Sequence, residues 1–287
     1  TAPSERGCEP RITSGCGADD DLGLPVTVGC VTLAASLDRA AGNRTQQGAD
    51  LEIIRHARGA RIVDGDDVIS EIRSHPGPTH TLFDVLAAAI AALSPGSRVA
   101  ILGFAGGGIV APLRGMGFET PLRCVDMSLA GEKVFRKLCS RWAGEVRVER
   151  NDAATWLRRK RTPFDCILED LSLPATAHAE GTKPEISLQQ IPQLMAAHLA
   201  RKGVAIVNML PVPGETWKSL TQPYRERFRH VQVVHFTGYV NRVVVAGKRL
   251  PSARRTSLQL RTSLHDIESS MAYELSVRTL APLAKRR

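Results

Sequence analysis

Aromatic residues make up only 5% of the 287-residue chain and do not interleave with its basic clusters, which argues against a base-stacking nucleic-acid surface. None of the six cysteines (Cys8, Cys16, Cys30, Cys124, Cys139, Cys166) sits in a C-x-x-C pair or has a histidine at zinc spacing, so a zinc ribbon or finger is set aside. No uncharged apolar run reaches about 18 residues, the usual length of a spanning helix. The longest candidate, Val99 to Leu113, carries four glycines and ends at Arg114. There is no internal repeat, and 43% apolar with 23% charged residues speaks against global disorder and a fibrous architecture.

What the chain does have is positive charge. The 38 basic residues outnumber the 29 acidic ones by nine, and the isoelectric point is near 9.6. Such an excess favours contact with polyanions such as RNA or with a negative partner surface. From Lys248 to Arg287 there are nine Lys/Arg against three Asp/Glu, so a basic C-terminal tail is expected, either solvated or used to dock a protein or RNA. Cys124 and Cys166 fall in strand-like apolar runs, where cysteine acts as a small hydrophobe. A reducing compartment, cytoplasm or organelle matrix, fits that usage. The first residue is Thr1, which leaves open both a trimmed chain and a removed targeting peptide.

At roughly 150 residues per domain the length suits one large domain, or one with a small companion. Residues 1–24 are rich in Gly, Pro, Ser and Asp and read as a flexible leader. Residues 25–80 read as a small β-rich module, from the short apolar clusters Val26–Leu33, Leu51–Ile54, Arg61–Val63 and Val68–Ile72 and the turn signal Asp64-Gly65. An Ala/Leu-rich helix, Leu82–Leu93, opens the main domain, residues 81–250, and residues 251–287 form the basic tail. In the main domain the expected strands are Val99–Gly103, Leu122–Asp126, Val146–Glu149, Phe164–Asp170, Val204–Met209, Val231–Phe236 and Val243–Ala246. Helices Ile109–Met116, Ala130–Trp142, Ala153–Lys160 and Leu188–Ala200 fit between the first five. The pattern predicts an α/β, Rossmann-like fold with a seven-stranded, mostly parallel sheet ending in an antiparallel hairpin.

The strongest local signal is Val99-Ala-Ile-Leu-Gly-Phe-Ala-Gly-Gly-Gly108, a buried strand running into a glycine-rich turn that opens a helix. Such a turn allows a ligand close to the backbone. The next strand ends in Asp126, placed to accept both hydroxyls of an adenosine ribose. Gly103 to Gly108 nearly fits the dinucleotide fingerprint G-x-G-x-x-G, with Ala105 in the second glycine position. Two further segments point away from a nicotinamide cofactor. Asn151-Asp152-Ala153 follows the third strand and offers a carboxylate to an adenine amino group. Phe164–Pro174 delivers Glu169 and Asp170 to a strand's carboxyl end, where ligands bind in open α/β sheets. Adjacent strand residues face opposite sides, so Asp170 is the expected catalytic residue, with Glu169 turned away or acting in its place.

On these residues, over about Arg61 to Lys248, the chain resembles the class I S-adenosylmethionine-dependent transferases, and within them the spermidine-synthase-like (aminopropyltransferase) branch. The resemblance implies a methyltransferase-type fold binding S-adenosylmethionine or decarboxylated S-adenosylmethionine. Gly103, Ala105, Gly106, Gly107 and Gly108 would then cradle the amino-acid end, Asp126 the ribose, and Asp152 with Ala153 the adenine, while Asp170 faces the acceptor. It also implies a small-molecule acceptor, such as a polyamine precursor, and a homo-oligomer. Three positions depart from the branch. Gly106 stands for an aspartate in the loop, Leu173 for a second aspartate before Pro174, and Val68 for a glutamine. A diamine needs carboxylates around its charges, so these departures weaken the polyamine reading.

Other residues carry less. His75 and His80 flank a Pro-Gly-Pro turn, and Tyr239 with Asn241 lies in the last hairpin link, where either pair could border a cleft. Trp142, Trp156 and Trp217 read as packing residues. Arg158-Arg-Lys-Arg161 reads as a solvated helix end or, with the tail, a phosphate-binding face. Two alternatives stay open. One is a catalytically degenerate member of the fold acting as a binding or assembly subunit of a larger, RNA-containing complex. The other is a nicotinamide-dependent dehydrogenase.

Overall fold

The computed structural model describes residues 52–64, 67–173, 182–273 and 275–283. The expected leader, the cluster Val26–Leu33, and Cys8, Cys16 and Cys30 lie outside the described residues. The β-rich module consists of Glu52–His56 (β1), Gly59–Asp64 (β2) and Asp67–Arg73 (β3), antiparallel in the order β1-β2-β3. Its inner face buries Ala60, Ile62, Ser70 and Ile72, whereas β1 is exposed throughout. Thr81 caps the next helix, Leu82–Leu93 (α1), by accepting from Phe83 N. The buried Asp84 carboxylate takes up the turn ahead of it, accepting from Thr79 N (2.8 Å), Thr79 Oγ1 (2.5 Å) and His80 N (2.8 Å).

Beyond α1 the chain alternates. Val99–Leu102 (β4) leads to Val110–Gly115 (α2), Leu122–Asp126 (β5) to Ala130–Cys139 (α3), and Val146–Arg150 (β6) to Ala153–Arg158 (α4). Phe164–Glu169 (β7) precedes Glu185–Gln189 (α5) and Ile191–His198 (α6), and Leu199–Met209 (β8) precedes Trp217–Arg227 (α7). His230–Phe236 (β9) and Arg242–Gly247 (β10) follow, then Ala253–Asp266 (α8), a 3-10 turn at Ser270–Tyr273, and Leu275–Thr279 (β11). The sheet has the order β11-β9-β10-β8-β7-β4-β5-β6. Strands β6, β5, β4, β7 and β8 run parallel; β10 is antiparallel to β8 and to β9, so β9 points the same way as the parallel set, and β11 is antiparallel to β9. All four residues of β4 are buried, as a central parallel strand covered on both faces requires.

The two faces make two cores. One packs α1 and α8, with Phe104, Phe135 and the inner face of β2 and β3, against Val99, Ile101, Cys124 and Leu168. The other packs Trp156, Met195, Leu220 and Tyr224 against Ala100, Leu102, Ile167 and Val207. Cys124, Cys139 and Cys166 are buried free thiols. Burial pushes all three up from the usual thiol range, Cys139 to about 12. No helix among the described residues is long and apolar enough to cross a membrane.

Two expectations need revision. The sheet has eight strands, not seven, because β11 pairs with β9 (Ser276 opposite His235) and takes the edge. The stretch read as a basic tail is, through residue 283, part of the fold. Ser252 caps α8 through Arg255 N, and Thr256, Leu260 and Leu264, four residues apart, are buried on one face of it. That spacing is one helical stripe. The basic residues occupy the remaining face, and their charge concealed the stripe.

Candidate functional site

The parallel strands end together, and the glycine-rich loop starts there. Gly103 N donates to Val125 O (2.9 Å) and Asp170 N to Leu102 O (2.8 Å), which locks the tips of β4, β5 and β7. Gly103 has φ +88°, and a Cβ on it would stand 2.4 Å from Asp170 O, so only glycine fits. The other loop glycines also make room for protein atoms. A Cβ on Gly106 would meet Ile62 and Ile72 of the N-terminal module, one on Gly107 would meet Phe104, and one on Gly108 would meet Phe83 and Ser70. Phe104 itself is buried edge-on against Phe135, with ring centroids 5.3 Å apart.

Most of the loop's N–H groups are satisfied within the chain. Phe104 N and Ala105 N both donate to Asp126 Oδ2 at 2.8 Å. Gly107 N donates to Phe104 O (2.7 Å), and Gly108 N to Ser70 Oγ of β3 (3.0 Å). Asp126 Oδ1 accepts from Ser128 N (2.8 Å). A carboxylate offers about four acceptor positions. Three are filled here, leaving one on Oδ1 for a ribose hydroxyl rather than the two that a bidentate grip on both hydroxyls requires. Asp126 is half-buried at the tip of β5, and its first partner is the loop.

Asp152 caps α4, its Oδ1 accepting from Thr155 N (2.8 Å), while Asn151 Oδ1 accepts from Asp152 N (2.9 Å). Oδ2 of Asp152 has no hydrogen-bond partner among the described residues. Ala153 is buried in the first turn of α4. A nucleoside thus fits in part. Asp126 and Asp152, at neighbouring strand ends, each keep an acceptor position, but the loop that should receive the rest of the ligand has its N–H groups largely committed.

Asp170 lies just past β7, half-buried. Its Oδ1 accepts from Asn208 Nδ2 (2.7 Å), and Asn208 Oδ1 accepts from Asn241 Nδ2 (3.0 Å). Burial pushes the Asp170 carboxyl up, and the nearby Asp126 adds to this, while the Asn208 amide and the charge of Lys183 pull the other way. A carboxylate with one oxygen fixed and a raised pKa suits proton abstraction. Asn208 was overlooked in the sequence, although a lone polar residue inside Val204–Met209 was its signal.

Glu169 has another role. It faces the opposite side, fully buried, and both its oxygens accept from Lys183 Nζ (2.8 and 2.9 Å). Leu171 N (2.9 Å) and Ser187 Oγ (3.0 Å) also donate to Oε1, and Lys183 Nζ reaches Leu171 O (2.7 Å). Burial pushes Glu169 upward against these partners. This pair, with the bridge between Leu173 and Thr182, pins both stems of the segment following β7.

His75 Nδ1 lies 2.9 Å from Ser74 Oγ, and His80, at φ 59°, accepts from Ser270 N, so both serve turns. Trp156 stacks on Phe164, and Trp142 and Trp217 pack half-buried against the two cores, Trp217 also lying beneath Arg242. Arg158 bonds Gln190 and Lys160 pairs with Glu149, consistent with a solvated helix end.

Neither a family model nor a curated protein matches the sequence. Solved structures do match it. A spermidine synthase in complex with the transition state analogue AdoDATO superposes with a TM-score of 0.53 at 14% identity, over 77% of this chain and 75% of that one. Spermidine synthase from Thermotoga maritima gives 0.52 at 16% identity, over 76% and 72%. The chain has the fold of the class I S-adenosylmethionine-dependent transferases, with spermidine synthases among its relatives in structure. Human Methyltransferase-like protein 13 in complex with SAH also aligns, with a TM-score of 0.49 at 16% identity over 64% of this chain and 90% of that one. The antiparallel β10, inserted between β8 and β9, separates this fold from the parallel dinucleotide-binding sheet of a nicotinamide dehydrogenase.

Proposed function

We propose that the chain is a group-transfer enzyme that alkylates a small nucleophile, by methyl or aminopropyl transfer, from S-adenosylmethionine or its decarboxylated form. The observation that carries this reading is Asp170, set beside the glycine loop with one oxygen fixed through Asn208 to Asn241. Asp126 would hold the ribose through its remaining acceptor position and Asp152 the adenine, with Ala153 beneath it. Gly103, Ala105, Gly106, Gly107 and Gly108 would border the amino-acid end. Such a sulfonium group supplies an alkyl carbon that is already activated, so the protein's work is alignment and proton removal. Asp170 does the second. Its raised pKa makes it the stronger base, and the Asn208 amide keeps its Oδ1 turned aside, leaving Oδ2 to take a proton from the acceptor.

A second reading is favoured by the loop, whose glycines accommodate protein atoms and whose amides are largely satisfied internally. On that reading the fold is a binding or assembly module, with its excess positive charge turned to RNA. Titration calorimetry with S-adenosylmethionine, its decarboxylated form and methylthioadenosine separates the two. Binding that Asp126→Ala abolishes supports the transferase. No heat with any of the three, together with salt-sensitive RNA binding that survives Asp126→Ala and Asp170→Ala, supports the assembly module.

A further inference from the structure

Three cationic or protonatable side chains meet on the last three strands of the sheet, with no acid to balance them among the described residues. His235 lies on β9 opposite Ser276 of β11, and Arg278 is two residues further along β11, on the same face. Arg242 opens β10, one residue before the pair formed by Val243 and Val234, level with His235. The Arg242 guanidinium stacks 4.0 Å above the Trp217 ring, and Arg278 Nη2 lies 3.4 Å from His235 Nε2. Neither arginine forms an ion pair with a described residue, and Arg242 donates no hydrogen bond to one. Arg242 is half-buried all the same. Burial and the neighbouring arginine depress it to about 10, and burial with both arginines depresses His235 to about 4.

A half-buried guanidinium that lacks an acceptor is costly to keep, and its planar fork matches a carboxylate or phosphate. Stacking on Trp217 holds that fork in place. The cluster also borders the candidate active site. Asn241, the last member of the chain from Asp170, immediately precedes Arg242. Side chains alternate along the backbone, so Asn241 turns to Asn208 and Arg242 to Trp217. Two strand steps separate β7 from β10, which is about 10 Å. A small molecule lying across the end of β8 spans that distance.

We infer that Arg242, Arg278, His235 and Trp217 form a binding site for a carboxylate or phosphate group, and that the acceptor of the transfer carries this group. The second half of this statement rests on the transferase reading; the first does not. A diamine is the wrong charge for such a site, which agrees with Gly106 and Leu173 standing where a polyamine enzyme needs acids.

The test follows the His235 imidazole by NMR in the full chain, across pH, with inorganic phosphate or acetate as the probe. A bound anion favours the imidazolium, so the His235 midpoint rises, by about 1–3 units. The probe that raises it further at equal concentration tells phosphate from carboxylate. Arg278→Gln, at the exposed rim, reduces the response, and Arg242→Gln, with its thermal midpoint checked, removes it. A His235 midpoint that neither anion moves overturns the site. In the transfer assay, Arg242→Gln raises KM for anionic acceptors with kcat little changed; acceptance of diamines in preference to anionic acceptors overturns the acceptor assignment. If no sulfonium donor binds while phosphate still moves His235, the transferase reading fails and the anion site stands.

Discussion

Ala105 N donates a 2.8 Å hydrogen bond to Asp126 Oδ2 while Ala105 itself sits at φ 47°. A non-glycine residue in that region costs about 1–2 kcal/mol. The Asp126 carboxylate, receiving Phe104 N as well, compensates with charge-assisted bonds. The residue expected to grip a ribose is therefore also the residue that holds the loop in shape. Asp126→Ala orphans these two donors and exposes Ser128 N, at about 1–3 kcal/mol per unsatisfied buried group. Urea unfolding is expected to show a lowered midpoint, and adding Ala105→Gly should restore part of it by relieving the strained backbone.

Asp170 makes stability depend on pH. Its folded pKa lies above the ordinary 3.8, so the folded state holds the proton more tightly than the unfolded chain. The favourable contribution is complete below the unfolded value and is lost as pH rises through the folded one. Asp170→Asn, which removes the charge, is therefore expected to raise the thermal midpoint at pH 7, and the gain should shrink as the pH falls toward 3.8. In the transfer assay the same variant should lose activity, while Asn208→Ala should move the acidic limb of the pH–rate profile upward by removing a bond that favours the ionised carboxylate.

The Glu169–Lys183 pair is fully buried. Removing one partner strands the other's charge, at about 3–5 kcal/mol. Lys183→Met is expected to lower stability by that amount in urea unfolding, and Glu169→Gln with Lys183→Met together should recover much of the loss. A single variant as stable as the parent would show that the pair does not hold the stems of its segment.

Two glycines, one buried in the first turn of α3 and one in an exposed turn, should behave differently. A Cβ on Gly131, at the start of α3, would lie 1.9 Å from Ala105 O, so Gly131→Ala must push the glycine-rich loop away and should abolish both folding at 37 °C and ligand binding. Gly117, at φ +74°, has nothing within 4 Å of its Cβ position. Gly117→Ala should therefore cost only backbone strain, about 1–2 kcal/mol, read as a modest shift in thermal midpoint.

The alternation of apolar strands with helices was readable in the sequence because β4, β5, β7 and β8 are buried on both faces and contain little else. The short link Thr237–Arg242 marked the last two of the expected strands as an antiparallel hairpin. The partners of the site's charges were not readable. Nothing local links Asp126 to an alanine 21 residues earlier, or Glu169 to a lysine in the loop-like stretch Gly181-Thr-Lys-Pro184. Arg242 and His235 looked like ordinary strand polar residues, because the absence of a counter-charge only becomes visible once three strands are side by side. In α8 the buried stripe was present, but its members are a threonine and two leucines flanked by Arg255 and Ser257, Gln259 and Arg261, and Ser263 and His265.

The Asp84 carboxylate accepts one further hydrogen bond, from Ser269 Oγ at 2.6 Å, across 185 positions of chain. One buried acid thus fastens the turn ahead of α1 to the turn that follows α8. A second bond, from Ser270 N to His80 Nδ1, joins the same two turns, so cutting the chain back past Ser269 would loosen the entry to α1, nearly 190 positions away in sequence.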